Sequence, residues 1–172
     1  MEIHDNGQWF TGAIEAKWGE YKNLSYTNKP FNDNVTMTQW IHRGHRYDKY
    51  TGDIIDYKDL PDWVMPIAES TGMSNIGASL YKMTPGCTLP QHQDTYEMYK
   101  SVHSLRHTRI RRIVVFLEDW QPGHYLEVNG NPIVDWKAGQ WVGWNYNCPH
   151  MAANIGSTDR YTMQITGTYN ED

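Results

Sequence analysis

The sequence predicts a mainly β chain, with an α+β N-terminal part packed on an all-β C-terminal sandwich or barrel. Three observations carry this. From about residue 76, short apolar or alternating runs recur every 8 to 12 residues, each closed by a turn signal. Before that point the chain is rich in Tyr, Asn and Asp and only weakly periodic. A length of 172 residues suits one sizeable core; 39% is hydrophobic, and twelve Tyr and eight Trp add large faces with a polar tip. The expected organisation is a single domain over 1–172, with 1–75 as a helix- and loop-rich support and 76–170 as the β core.

In chain order, "NLSYTNKPFNDNV" (23–35) reads as loop. "PDWVMPIAEST" (61–71) is the best short helix: Pro61 suits a first turn, Trp63 and Ile67 share a face, and Pro66 shortens it. "GASLYKM" (77–83) is a strand closed by the turn "TPG". "RIVVFLEDW" (112–120) is a continuous apolar run of buried-strand length. Asn129-Gly130 inside "QPGHYLEVNGNPIVDW" is a strong hairpin signal. "KAGQ" turns the chain into the strand "WVGWNY", "NIGST" is a loop, and "DRYTMQITGTY" is a last strand.

The net charge of -5 argues against nucleic acid or an acidic membrane surface as partner. The dense basic run "RIRR" (109–112) leads straight into "IVVFL" and reads as the start of a strand, so no basic groove is expected. No apolar stretch of 18 residues is present, and "MEIHDNGQWF" does not read as a signal peptide. Cys87 and Cys148 make no disulfide framework; two reduced thiols in a cytoplasmic protein are expected.

The chemistry concentrates in "LPQHQDTYEMY" (89–99). Residues two apart on an extended segment point the same way, so His92 and Asp94 can converge on one point. His150, in "NCPHMAAN" 56 residues after Asp94 and at the end of the "WVGWNY" strand, is the third candidate if those strands are neighbours. Two imidazoles and one carboxylate form a facial triad suited to non-haem Fe(II) with open positions. Along "RYTMQIT", Tyr161, Met163 and Ile165 alternate with Arg160, Thr162 and Gln164. The first set suits a core. The second is either solvated or lines a barrel lumen, where Arg160 can fork onto a carboxylate and Thr162 can donate a further hydrogen bond.

Together, "HQD" (92–94), His150 and "RYT" (160–162), with a "PG" six residues before His92, resemble the His-X-Asp…His…Arg-X-Ser/Thr signature of 2-oxoglutarate- and Fe(II)-dependent oxygenases. The likeness covers about residues 80–168 and points to the prolyl-4-hydroxylase-like or aspartyl/asparaginyl-hydroxylase-like branch. It implies a double-stranded β-helix, a distorted jelly roll, with flanking N-terminal helices. It implies His92, Asp94 and His150 as Fe(II) ligands, and Arg160 with Thr162 as the anchor of the 2-oxoglutarate cosubstrate. It implies use of O2, release of succinate and carbon dioxide, and hydroxylation of an amino-acid or peptidyl side chain. Tyr81 stands two residues before the position (Met83) where the prolyl-hydroxylase-like branch carries a tyrosine, and is a further cosubstrate candidate. Arg109 and Arg111 share one strand face and Arg112 the other; any of them can pair with the cosubstrate or with surface acids.

Two other functions stay open on the sequence. "PG…HQD…E" with "PHMAAN" also resembles the two cupin motifs, with Asp94 where a cupin has a second histidine. A jelly-roll module gripping sugar or peptide with its aromatics is the third. His103 and His107 stand at a helical ligand spacing without the glutamate of a metalloprotease, and read as the lip of the barrel. His42 and His45 read as solvated loop residues, Cys148 as a small buried one, and Trp141 and Trp144 as facing opposite ways.

Overall fold

The computed structural model describes residues 9–29, 31, 33–46, 52–106, 109–146 and 148–169. The described elements are β1 (Trp9–Ala13), β2 (Thr27–Asn28), α1 (Asn34–His42), β3 (Asp53–Ile55), α2 (Val64–Glu69), β4 (Ser74–Met83), β5 (Thr88–His92) and α3 (Glu97–Val102). They continue with β6 (Ile110–Phe116), β7 (His124–Val128), β8 (Asn131–Ile133), β9 (Gln140–Asn145), β10 (His150–Asn154) and β11 (Arg160–Thr168). The strands form two antiparallel sheets, one ordered β1-β9-β6-β11-β4-β3-β2 and the other β5-β10-β7-β8. The architecture is a double-stranded β-helix.

Alternation along the central strands divides the apolar residues into two layers. Leu80 of β4, Ile113 and Val115 of β6, and Met163 and Ile165 of β11 turn to the outer face. There they meet Val64, Ile67 and Ala68 of α2 and the chain before it. Tyr81, Val114, Phe116, Val142 and Trp144 turn the other way and pack between the sheets against Leu126, Val128 and Ala152. Trp141 and Trp144 accordingly lie in different layers, as their opposite parity predicts.

The hairpin signal corresponds to the turn between β7 and β8, where Asn129 and Gly130 have φ of 51° and 74°. Both central residues of a tight I′ turn need that left-handed region. The predicted 61–71 helix is shorter, over Val64–Glu69. Pro66 sits in its first turn, where a missing N–H breaks no intrahelical bond. The segment before residue 60 departs further from expectation. It supplies β1, β2 and β3, and "NVTMTQWIH" forms α1 with Asp33 as N-cap, its Oδ1 accepting from the amides of Val35 and Thr36 at 3.0 Å each. His42 is thus the last residue of a helix rather than a loop residue.

A second correction concerns His150. It does not end the "WVGWNY" strand but opens its own strand, β10, in the opposite sheet, directly across from His92 of β5. Between the pairs His150↔His92 and Ala152↔Leu89, β5 carries two residues, Pro90 and Gln91, against the one residue Met151. This is a β-bulge, and proline is tolerated there because β5 is an edge strand. Among the described residues no helix is long and apolar enough to cross a membrane, and Cys87 and Cys148 are both free thiols.

Candidate metal centre and its cavity

The bulge releases two carbonyls from the β5 ladder, and both are used. Pro90 O lies 2.8 Å from Nδ1 of His92, and Gln91 O accepts from the indole of Trp40 at 3.1 Å. Cys148 O lies 3.0 Å from Nδ1 of His150. A carbonyl only accepts, so each Nδ1 carries the proton and each neutral ring keeps its lone pair on Nε2. Those two Nε2 atoms face Asp94, His92 at 3.6 Å from Oδ1 and His150 at 3.6 Å from Oδ2. The ligand atoms of the three residues lie within 4.8 Å of one another, and no other such group of His, Cys, Asp and Glu occurs among the described residues. The aromatic rings of Phe31 and Trp40 brace His92 edge-on, each centroid 5.2 Å from the imidazole. Trp144 packs against His150 at 4.5 Å.

The electrostatics keep His150 and Asp94 ready to bind a cation. Burial, then the neighbouring His92 ring, pushes the His150 imidazole down to about 4, so it is neutral at pH 7. Burial alone would raise the Asp94 carboxyl, but the guanidinium of Arg112 and the two imidazoles outweigh it and hold the acid well below the usual carboxylate range. Asp94 Oδ2 is buried and makes no hydrogen bond. Two imidazole nitrogens with bare lone pairs and an ionised carboxylate fit a divalent transition metal.

These residues open into a cavity of about 1500 Å³ between the sheets, which also receives Tyr81, Arg160, Thr162 and Gln164. Arg160 and Thr162 are 5% and 1% exposed, so the polar face of β11 is lumen and not solvent. Arg160 donates from Nη1 to Tyr125 O at 2.6 Å. Its Nε, and the hydroxyl of Thr162, are buried without a partner. Burial pulls the Arg160 guanidinium down to about 10. Tyr81 pairs with Thr162 across the β4–β11 ladder; burial raises its phenol to about 12. Gly52 lets that ring pass, since a Cβ there would lie 2.1 Å from Tyr81 Cζ.

Of Arg109, Arg111 and Arg112, the first precedes β6, and on that strand Arg112 turns inward, with Nη2 3.5 Å from Asp94 Oδ2. Arg111 points outward, its guanidinium stacked between Phe10 and Tyr169 at 4.3 and 4.4 Å. Tyr96 closes over Arg112, ring centroid 5.4 Å from the guanidinium carbon, from a left-handed backbone with φ of 56°. Nothing in the sequence marked Tyr96, Phe31 or Trp40. Arg112 was marked only by its parity. His103 lines the mouth and His107 lies outside the described residues; His42 and His45 are not among the lining residues. Asn154 is fully buried and staples the loop before β11, donating to Met83 O and Thr158 O at 2.7 and 2.8 Å.

No family model and no curated protein matches the sequence. Among solved structures, a prolyl-4-hydroxylase from Pseudomonas putida is similar at 14% identity, over 80% of this chain and 85% of that one, with a TM-score of 0.54. A predicted oxalate decarboxylase from Thermotoga maritima matches at 16% identity over 69% and 82%, with a TM-score of 0.44. KdgF from Halomonas sp. matches at 14% identity over 70% and 82%, with a TM-score of 0.42. At 14% identity the likeness to the prolyl-4-hydroxylase structure is one of fold alone, and it agrees with the strand order: the chain is a jelly roll with a His-Asp-His group that can hold a metal at one end of its lumen.

Proposed function

We propose that the chain is a 2-oxoglutarate- and Fe(II)-dependent dioxygenase that hydroxylates an amino-acid or peptidyl side chain. One observation carries the reading: a two-histidine, one-carboxylate group shares its cavity with a buried arginine whose Nε, and a buried threonine whose hydroxyl, have no partner. Burying such atoms unpaired costs about 1–3 kcal/mol each, which a carboxylate ligand would recover. In this reading His92, Asp94 and His150 hold Fe(II), which supplies oxygen activation coupled to decarboxylation of the cosubstrate. Arg160 receives the distal carboxylate of 2-oxoglutarate, Thr162 donates a hydrogen bond to it, and Tyr81 walls that end. Phe31, Trp40 and Trp144 hold the imidazoles in place and keep water from them. The two Nδ1–carbonyl bonds fix the tautomer, so neither ring has to lose a proton to bind the metal.

The wide mouth, rimmed by the exposed side chains of Val35, Tyr57, Met98 and Val102, leaves room for a side chain presented by a larger molecule. The test is conversion of 2-oxoglutarate to succinate by the Fe(II)-loaded protein without added substrate. Succinate above the background of Asp94→Ala is expected. Metal binding with no cosubstrate turnover, and no cosubstrate binding by calorimetry, would leave a metal-binding jelly roll of another class. Arg160→Ala is expected to weaken 2-oxoglutarate binding by about 2–5 kcal/mol, since the charge pair is buried; an unchanged dissociation constant would move the carboxylate site elsewhere.

A further inference from the structure

Arg112 is out of place for a strand that otherwise turns apolar side chains inward. It stands on β6 opposite Thr166 of β11, with Val114 as its inward neighbour. Its guanidinium is not free to reach into the cavity. Nη1 donates to Gln164 Oε1 at 2.7 Å, Nη2 lies 3.5 Å from Asp94 Oδ2, and the face of Tyr96 covers it. Asp94 is itself on a loop, one residue pair beyond the end of β5, and no backbone ladder fixes its side chain. The two histidines are each held by a carbonyl and by aromatic rings. For Asp94 that role falls to Arg112, which approaches Oδ2, the oxygen that His150 also faces, while Oδ1 faces His92.

We infer that Arg112 is a positioning residue for Asp94, with Gln164 as the group that aims it. The guanidinium holds the carboxylate by Oδ2, so that the acid meets the imidazole nitrogens in one orientation rather than swinging on its loop. The inference rests on the metal-centre reading above. It makes a prediction whose sign separates positioning from plain charge. A cation beside a metal dication repels it, so removing Arg112 would tighten metal binding if charge were all that mattered. If Arg112 positions Asp94, its removal weakens binding, by about 10–100-fold as for other groups that orient a ligand.

The experiment uses the full chain and Co(II) alone as the probe, with affinity from titration and the visible d–d band as a report on the ligand set. Wild type is expected to take one Co(II). Arg112→Met should bind at least about tenfold more weakly with an altered band, and Arg112→Lys should fall between, keeping the charge but losing the bond to Gln164. Gln164→Leu leaves the arginine in place and is the second variant should Arg112→Met fail to fold; a weaker version of the same loss is expected. In an Asp94→Ala background the Arg112→Met change should cause no further loss of Co(II) affinity. Unchanged or tighter binding in Arg112→Met or Gln164→Leu overturns the inference. So does an equal loss in the Asp94→Ala background, which would mean a general effect on the fold. Failure of the wild type to take Co(II) would overturn the metal reading itself, and is distinguishable because no variant is needed to see it.

Discussion

The two faces of β11 make the sharpest contrast in the molecule. Outward, Met163 and Ile165 are fully buried among apolar side chains from β4, β6 and α2. Inward, Arg160 and Thr162 are buried between the sheets, with Gln164 half-buried beside them. Among the described residues, six of the eight buried polar side-chain atoms that lack a hydrogen bond lie along that cavity: those of Asp94, Tyr96, Arg112, Trp144, Arg160 and Thr162. One strand therefore contributes to stability on one face and forfeits some on the other. A protein tolerates unpaired buried groups where something else is to bind them.

That contrast can be broken from either side. The largest effect on stability is expected from the outer layer: Met163→Ala should cost about 2–5 kcal/mol in urea unfolding, through lost burial and the cavity left behind. Co(II) affinity of the folded fraction should stay unchanged, and a parallel loss of metal would show that the two layers are not separable. On the inner face a smaller change of opposite sign is expected. Thr162→Val removes a hydroxyl with no partner, and should raise the stability of the ligand-free protein by about 1 kcal/mol while weakening 2-oxoglutarate binding. Destabilisation by that variant would mean the hydroxyl is satisfied in solution.

The smallest effect is a pH slope. His124 is buried beside Thr158, its Nε2 3.1 Å from the Thr158 carbonyl. Burial, and then Arg160, outweigh that carbonyl and lower its pKa from 6.5. A folded value below the unfolded one means the fold favours the neutral ring. The stability is then complete above pH 6.5 and declines as pH falls through 6.5 toward the folded value. His150, held down to about 4, acts in the same sense. His124→Gln should therefore flatten part of the decline in urea midpoint between about pH 7 and 5. An identical slope in that variant would assign the whole of it to other groups.

Much of this was legible in the sequence because strand parity is a local rule. It separated Met163 from Thr162, Trp141 from Trp144 and Arg111 from Arg112; His92 and Asp94 do converge, but Asp94 does so from a loop beyond the end of β5 and not by strand parity. It could not say that His150 begins a strand of its own, because "PHMAAN" is too short and too small in its side chains to alternate visibly. Nor could it find α1: Val35, Thr36 and Thr38 are β-branched, and the helix depends on its Asp33 cap and on docking Trp40. Phe31 and Trp40 reach His92 from 61 and 52 positions earlier in the chain. Contacts of that range are decided by how layers dock, and no local pattern announces them.

The single extra residue in β5 has a consequence beyond holding two carbonyls. Pairing is two-valued at each position: shift this edge strand by one, and its imidazole would turn to the opposite face of the sheet, away from His150 and Asp94. Such a mispaired chain would retain nearly all of its hydrophobic contacts, melt much like the correct one and elute with it, yet be chemically silent. On the proposed metal-centre reading, a folded sample and a competent sample are separate quantities, and counting bound metal per chain distinguishes them.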